Sequence, residues 1–174
     1  MKQGFEIERK YIIKMPDISF LEKCADKIYY ITQSYIGKNT DGFNCRIRKA
    51  IENELKDETV DGIVVTHGTD SLEETAYFLD ITINDYRPIV VTGSQRSPAE
   101  VGTDVFSNLK NSIYAASSEL LHNVGVVVVF NERIYSAKYV KKVHASNLQG
   151  FESYGYGYLG IIDNDVVSIY QKPI

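Results

Sequence analysis

The chain has no tryptophan and only two cysteines in its 174 residues. Cys24 and Cys45 lack metal-ligand spacing, which removes a cysteine-built metal centre from the candidates. Thirteen tyrosines supply much of the aromatic content, a balance that points to no particular chemistry. No apolar run approaches the ~20 residues that a membrane helix needs, which argues against a membrane partner. Positive charge is in deficit. With 19 Lys/Arg against 23 Asp/Glu the net charge is −4, and duplex binding rests on cations that neutralise phosphates. A nucleic-acid partner is therefore not expected. The opening Met1-Lys2-Gln3-Gly4-Phe5-Glu6 has no apolar signal core, so the expectation is a cytoplasmic protein with both thiols reduced. What is present suffices for a packed domain: 44% hydrophobic and 24% charged residues.

Two styles of sequence follow one another. Residues 1–59 hold 11 Lys/Arg and 10 Asp/Glu, whereas residues 60–174 hold 8 and 13. "FEIERKYII" alternates apolar and charged side chains, the period of a half-buried strand. "DISFLEKCADK" (17–27) fits a short capped helix, and "KIYYITQSYI" (27–36) a second strand. After the turn cluster "GKNTDG", "FNCRIRKA" (43–50) alternates again, with Arg46 and Arg48 on one face. The expectation is an antiparallel meander. "IENELKDETV" (51–60) reads as a charged bridge with helical character.

From residue 60, apolar strands alternate with helices. The strands are "DGIVVTH", "RPIVVTGS" (87–94) and "NVGVVVVF" (123–130). None has a polar face, as expected when helices cover both sides of a parallel sheet. "SLEETAYFLDIT" and a helix within 101–121 supply the covers, the latter with Phe106, Leu109, Ile113 and Ala116 as its inner stripe. "GYLGIIDNDVVSIY" (157–170) reads as a hairpin across Asp163-Asn164-Asp165.

In an open α/β sheet, ligands bind beyond the carboxyl ends of the strands. Three segments reach that position: Thr66-His67-Gly68-Thr69-Asp70, Thr92-Gly93-Ser94-Gln95-Arg96, and the loop "NERIYSAKYVKK" (131–142). Together they offer a hydroxyl, a carboxylate, amide and hydroxyl groups, and the lysines Lys141 and Lys142. A lysine held by a carboxylate in a partly dry cleft can act as a base, and a neighbouring threonine hydroxyl then becomes a nucleophile or a relay to water. A plainer reading stands beside this one. Asp70–Glu73 or Ser71–Glu74 also fits an ordinary capping box, and the two roles can coexist. His67 fits a hydrogen-bonded scaffold position better than a base.

On these residues the chain resembles the bacterial-type L-asparaginase/glutaminase family. The likeness starts at "DGIVVTHGTDSLEETAYFLD" and runs through "RPIVVTGSQRSPAEVGTDVFSNLKNSIYAA" to "YGYGYLGIIDNDVVSIYQKP". The resemblance implies an amidohydrolase that converts L-asparagine to L-aspartate and ammonia without a cofactor. It implies that Thr69, Asp70 and Lys142 are the catalytic group and that Gly68 and Ser94 touch substrate. It also implies a Thr-Gly-Gly-Thr strand carrying the usual nucleophile, a tetrapeptide absent from these 174 residues. The expectation is thus half of a site. The nucleophile would come from another chain, or turnover would be very slow.

Glu6-x-Glu8-x-Lys10 resembles the ExExK signature of the CYTH, or triphosphate tunnel, family, with Arg46-x-Arg48 as a later strand. That resemblance implies Mg²⁺ or Mn²⁺ on Glu6 and Glu8, and triphosphate oxygens on Lys10, Arg46 and Arg48. A closed tunnel needs about eight strands and only about three are present. The sequence thus predicts an incomplete CYTH-like β segment over 1–50, a linker over 51–59 and an asparaginase-like domain over 60–174. The fold class is α/β: an open, mostly parallel, doubly wound sheet preceded by an antiparallel β meander. Strands beside "GIVVTH" would be missing, leaving an edge open to association with another chain, or a homo-oligomer.

Overall fold

The computed structural model describes residues 43–173. Of the meander expected over residues 5–49, the part up to residue 42, with Glu6, Glu8 and Lys10, lies outside them.

The first described element corrects the sequence reading. Residues 43–50, expected to be a strand, form the start of a helix, α1 (Phe43–Glu54). The deciding signal lies further along the chain. Ile51 is buried, while Ile47 and Leu55 pack against the same cluster, giving an apolar stripe at spacing four. The alternation around Arg46 and Arg48 is too short to outweigh it. The strand alternation that would have set Arg46 and Arg48 on one face is therefore absent here. Arg48 instead pairs with Glu52 one turn on, at 3.3 Å.

Beyond α1 come β1 (Ile63–Thr66), α2 (Leu72–Thr82), β2 (Ile89–Thr92), α3 (Val105–Ala116) and β3 (Val126–Phe130). Then follow β4 (Arg133–Ser136), β5 (Lys141–Lys142), β6 (Phe151–Glu152), β7 (Gly160–Asp163) and β8 (Val166–Ile169). One six-stranded sheet has the order β1-β2-β3-β4-β7-β8, and β5 pairs with β6 separately. The pairs β1/β2 and β2/β3 are parallel, while the remaining pairs in the sheet are antiparallel. This is the expected α/β sheet, parallel in its first half. Among the described residues β1 is an end strand, and its burial falls off from Ile63 to an exposed Thr66.

Alternate strand residues sort into two cores. Ile63, Ile89, Val91, Val126, Val128 and Phe130 meet Ile51 of α1 and Leu72, Ala76 and Leu79 of α2. Val90, Val127 and Val129 meet Ala115 and Ala116 of α3 on the opposite face. Both faces are dry, which is why these strands have no polar face and carry polar residues only at their carboxyl ends, Thr66 and Thr92. The steps β1→β2 and β2→β3 move the same way across the sheet, yet α2 and α3 cover opposite faces. The two crossovers therefore have opposite hands, and one departs from the right-handed rule.

The inner face of α3 also differs from expectation. Asn108, Asn111, Ser112, Ala115 and Ala116 are buried, whereas Phe106 is 37% exposed. The helix runs too close to the sheet for large side chains: a Cβ added at Gly62 would sit 2.1 Å from the Ala116 carbonyl oxygen. The polar groups that face inward find partners. Asn108 donates to the Gly93 carbonyl at 2.9 Å and to Asp104 at 3.0 Å, and its own oxygen accepts the Asn131 N–H at 3.0 Å.

Two tight hairpins complete the sheet. Asn164-Asp165 joins β7 to β8 and Asn131-Glu132 joins β3 to β4, with all four residues at positive φ (47°, 69°, 49° and 64°). The second hairpin was not expected; residues 131–142 read as one loop. The chain instead folds back through β4, turns at Ser136–Val140 and only then reaches the two lysines.

Candidate active site

Thr69 and Asp70 lie where β1 passes into α2. The turn is built from main-chain contacts. The His67 amide donates to the Thr92 carbonyl at 2.8 Å, tying the β1 and β2 exits together. The His67 ring lies 2.8 Å from the Gly68 carbonyl through Nδ1 and 3.1 Å from Thr75 Oγ1 through Nε2. A carbonyl only accepts, so Nδ1 carries the proton and Nε2 accepts from Thr75. This is the scaffold role expected of His67.

Close approach of the two loops depends on Gly93. A Cβ there would meet the His67 carbonyl oxygen at 2.4 Å and Thr69 Cγ2 at 3.4 Å. Ser94 follows it, half-buried, at the exit of β2. Gly68 faces open space, with nothing within 4 Å of the position its Cβ would take.

Lys142 arrives 72 residues later on β5. Its Nζ donates to Thr69 Oγ1 at 2.8 Å and to Asp70 Oδ1 at 2.6 Å. The Lys142 side chain is mostly withdrawn from solvent, at 15% exposure, while that of Asp70 is 96% exposed. Hydrogen bonding to Lys142 and its charge hold the Asp70 carboxyl below the ordinary carboxylate range. The structure thus brings Thr69, Asp70 and Lys142 together, with Gly68 and Ser94 on the adjoining loops. Arg46 and Arg48 are elsewhere, on α1.

Further polar groups surround the three. Thr69 Oγ1 donates to Gln95 Oε1 at 3.3 Å, and Gln95 Nε2 donates to the His144 carbonyl at 3.1 Å. Buried Asp104 accepts the Gln95 N–H at 2.9 Å and the Arg96 N–H at 3.0 Å, fixing the loop that carries Ser94 and Gln95. Ser71 is the N-cap of α2 and makes no side-chain cap bond. Glu73 turns instead to β5, accepting from Lys141 Nζ at 2.9 Å and from the Lys142 N–H. The capping box offered by the sequence is therefore not formed. Sequence reasoning missed the parts played by Glu73, Asp104 and Asn108, because each partner is remote in sequence or is a main-chain group.

Among the described residues no three His, Cys, Asp or Glu side chains cluster as a metal site would require, and no helix is long and apolar enough to cross a membrane.

Comparison with known proteins gives the same picture along most of the chain. The family model described as Asparaginase, N-terminal, matches residues 38–174. An L-asparaginase of Bacillus licheniformis is 62% identical over 126 residues, 72% of this chain and 39% of that protein. A probable L-asparaginase 4 of Schizosaccharomyces pombe is 46% identical over 128 residues, 74% of this chain and 34% of that protein. The crystal structure of a probable cytoplasmic L-asparaginase from Campylobacter jejuni superposes with a TM-score of 0.75 at 36% identity, covering 79% of this chain and 42% of that one. The chain spans between a third and two fifths of the length of these curated relatives. These comparisons do not support the CYTH likeness, and the asparaginase model takes in residues 38–50 with Arg46 and Arg48. With the sheet order, the two covered faces and this match, the chain belongs to the asparaginase family, within its N-terminal domain.

Proposed function

We propose that this chain carries the threonine–lysine–aspartate half of a site that hydrolyses the side-chain amide of L-asparagine to L-aspartate and ammonia. One observation carries the reading: the Lys142 amine lies 2.8 Å from the Thr69 hydroxyl and 2.6 Å from the Asp70 carboxylate. In its neutral form Lys142 takes a proton from Thr69, or from a water that Thr69 holds. Asp70 orients the amine and stabilises the ammonium that forms. Water adds to the amide carbon, the C–N bond breaks, and the proton gathered by Lys142 leaves with ammonia. Gly68 and Ser94 stand on the turns that flank the three, and the open space beside Gly68 leaves room for substrate. These groups carry every proton, so the reading calls for no cofactor.

The Thr-Gly-Gly-Thr strand that the family resemblance implies is not among the 174 residues. On this reading the nucleophile comes from outside these 174 residues, or water attacks slowly. Among the described residues β1 is the end strand, and its outer edge is the surface this reading offers to a second chain or second copy. The likeness to a probable cytoplasmic L-asparaginase supports a cytoplasmic protein. Ammonia release from L-asparagine is the test, measured with and without EDTA over a range of chain concentrations. The reading expects release insensitive to EDTA, with specific activity rising with concentration if a second chain completes the site. Release abolished by EDTA overturns it.

A further inference from the structure

Lys142 sits on an unusually short support. The β5–β6 ladder has only two pairs, Lys141↔Glu152 and Lys142↔Phe151. Two pairs are a weak frame for a side chain that must hold its amine to within a fraction of an ångström. A rigid element stands next to it. In the first turns of α2, Leu72 and Ala76 are fully buried and Thr75 is 2% exposed.

We propose that Glu73 is a positioning residue for Lys142, a role that rests on the amide-hydrolysis reading. Glu73 Oε2 accepts the Lys142 N–H, and Oε1 accepts from Lys141 Nζ at 2.9 Å. The Glu73 side chain is only 14% exposed and its bond to the Lys142 N–H is part-buried, whereas the Lys141 side chain, 65% exposed, stays in solvent. Asp70, in the turn just before the N-cap, and Glu73, in the first turn of α2, are three residues apart. They hold Lys142 at opposite ends, Asp70 by Nζ and Glu73 by the main-chain nitrogen. The rigid first turn of α2 therefore fixes the origin of the lysine side chain, and the turn leading into it holds the tip. Orientation of this kind governs the reaction rate more than substrate affinity, because the amine acts at the reacting centre and Glu73 touches no substrate.

The test compares Glu73→Met, which matches the side-chain length without an acceptor, with Glu73→Gln, which keeps one. The first readout is amide hydrogen exchange at Lys142, with Val126–Phe130 in β3 as the internal measure of an intact fold. Glu73→Met is expected to speed exchange at Lys142 by about tenfold or more while β3 stays protected, and Glu73→Gln to restore most of the protection. The second readout is ammonia release. Glu73→Met is expected to lower kcat by about 10–100-fold with KM changed by less than about threefold, and Glu73→Gln to recover most of kcat.

Unchanged exchange at Lys142 in Glu73→Met, or a kcat loss that Glu73→Gln does not rescue, overturns the proposal. If the parent chain releases no ammonia, the amide-hydrolysis reading fails and exchange alone decides the clamp. Faster exchange confined to residues 141–143 then upholds it, and unchanged exchange ends it. If Glu73→Met does not fold, Glu73→Ala takes its place in both readouts with the same outcomes.

Discussion

Replacing Arg87 with alanine should destabilise the protein more than most single substitutions. Arg87 is 7% exposed and binds Asp85 through two parallel bonds, Nε to Oδ1 and Nη2 to Oδ2, both 2.9 Å. The rest of the guanidinium donates to three main-chain carbonyls just beyond α1: Asp57 at 2.9 Å, Val60 at 3.1 Å, and Leu55. One side chain thus terminates α1 and ties residues 55–60 to the strand entering the sheet at Ile89. Breaking a buried ion pair by removing one partner costs about 3–5 kcal/mol. The Asp85 side chain is 18% exposed, so water recovers part of its hydration and the low end applies. The three carbonyls left unpaired add about 1 kcal/mol, because they lie on a turn that water can reach. The expected loss is therefore about 3–4 kcal/mol. With a urea slope of about 2 kcal/mol per molar, the midpoint falls by about 1.5–2 M.

Arg87→Lys should recover less than half of this, since an ammonium cannot fork to a carboxylate and also reach the carbonyls. Acid adds an independent check. Arg87 holds the Asp85 carboxyl below its usual range, chiefly by hydrogen bonding. A carboxyl depressed in the folded state contributes stability above its unfolded value of about 3.9, and that contribution is lost as pH falls through the folded value. The parent should therefore weaken below about pH 4 more than Arg87→Ala does. A midpoint shift below about 0.5 M urea, roughly 1 kcal/mol, would refute the reasoning and detach residues 43–60 from the folded unit.

Other substitutions probe the site directly. Gly93→Ala places a Cβ 2.4 Å from a main-chain oxygen of His67, which cannot give way as a flexible side chain would. It should cost about 1–3 kcal/mol in thermal or urea unfolding and displace the Thr69 loop; a neutral effect would disprove the close packing of the two strand exits. The Asp70 carboxyl, followed by carbon NMR, should titrate below its ordinary value in the parent and return to it in Lys142→Met. Identical titrations in the two proteins would mean that the pair does not persist in solution. Asn108→Leu leaves the Asn131 N–H and the Gly93 carbonyl without their partner. It should cost about 2–4 kcal/mol by chemical denaturation, and a loss under 1 kcal/mol would count against the polar inner face of α3.

The parts of this fold that were legible in the sequence are those where one physical signal dominates. Val90, Val127 and Val129 belong to strands buried on both faces, so unbroken apolar runs announced them. The hairpin at Asn164-Asp165 carried its turn residues openly, whereas Asn131-Glu132 did not, because glutamate rarely takes positive φ. At residues 43–50 a brief alternation of period two masked the longer stripe Ile47, Ile51 and Leu55. For α3, large apolar residues suggested the wrong face. The small inner face follows from how closely the helix meets the sheet, a distance no local pattern encodes. The site was divided in the same way. Thr69 and Asp70 stood out because a strand runs into a polar loop and then a helix. Lys142 was one of two adjacent lysines, and the family likeness rather than spacing singled it out. Glu73 looked like an ordinary first-turn acid because its partners lie 68 and 69 residues away.

The most direct test of the central claim is the rate of ammonia release from L-asparagine by the intact chain beside that of Lys142→Met, at equal concentration. Far-ultraviolet dichroism would confirm that both are folded. If Thr69, Asp70 and Lys142 act as one unit, the substitution lowers the rate by at least about a hundredfold. Equal rates in the two proteins, or no ammonia from the parent at any concentration tried, would contradict it.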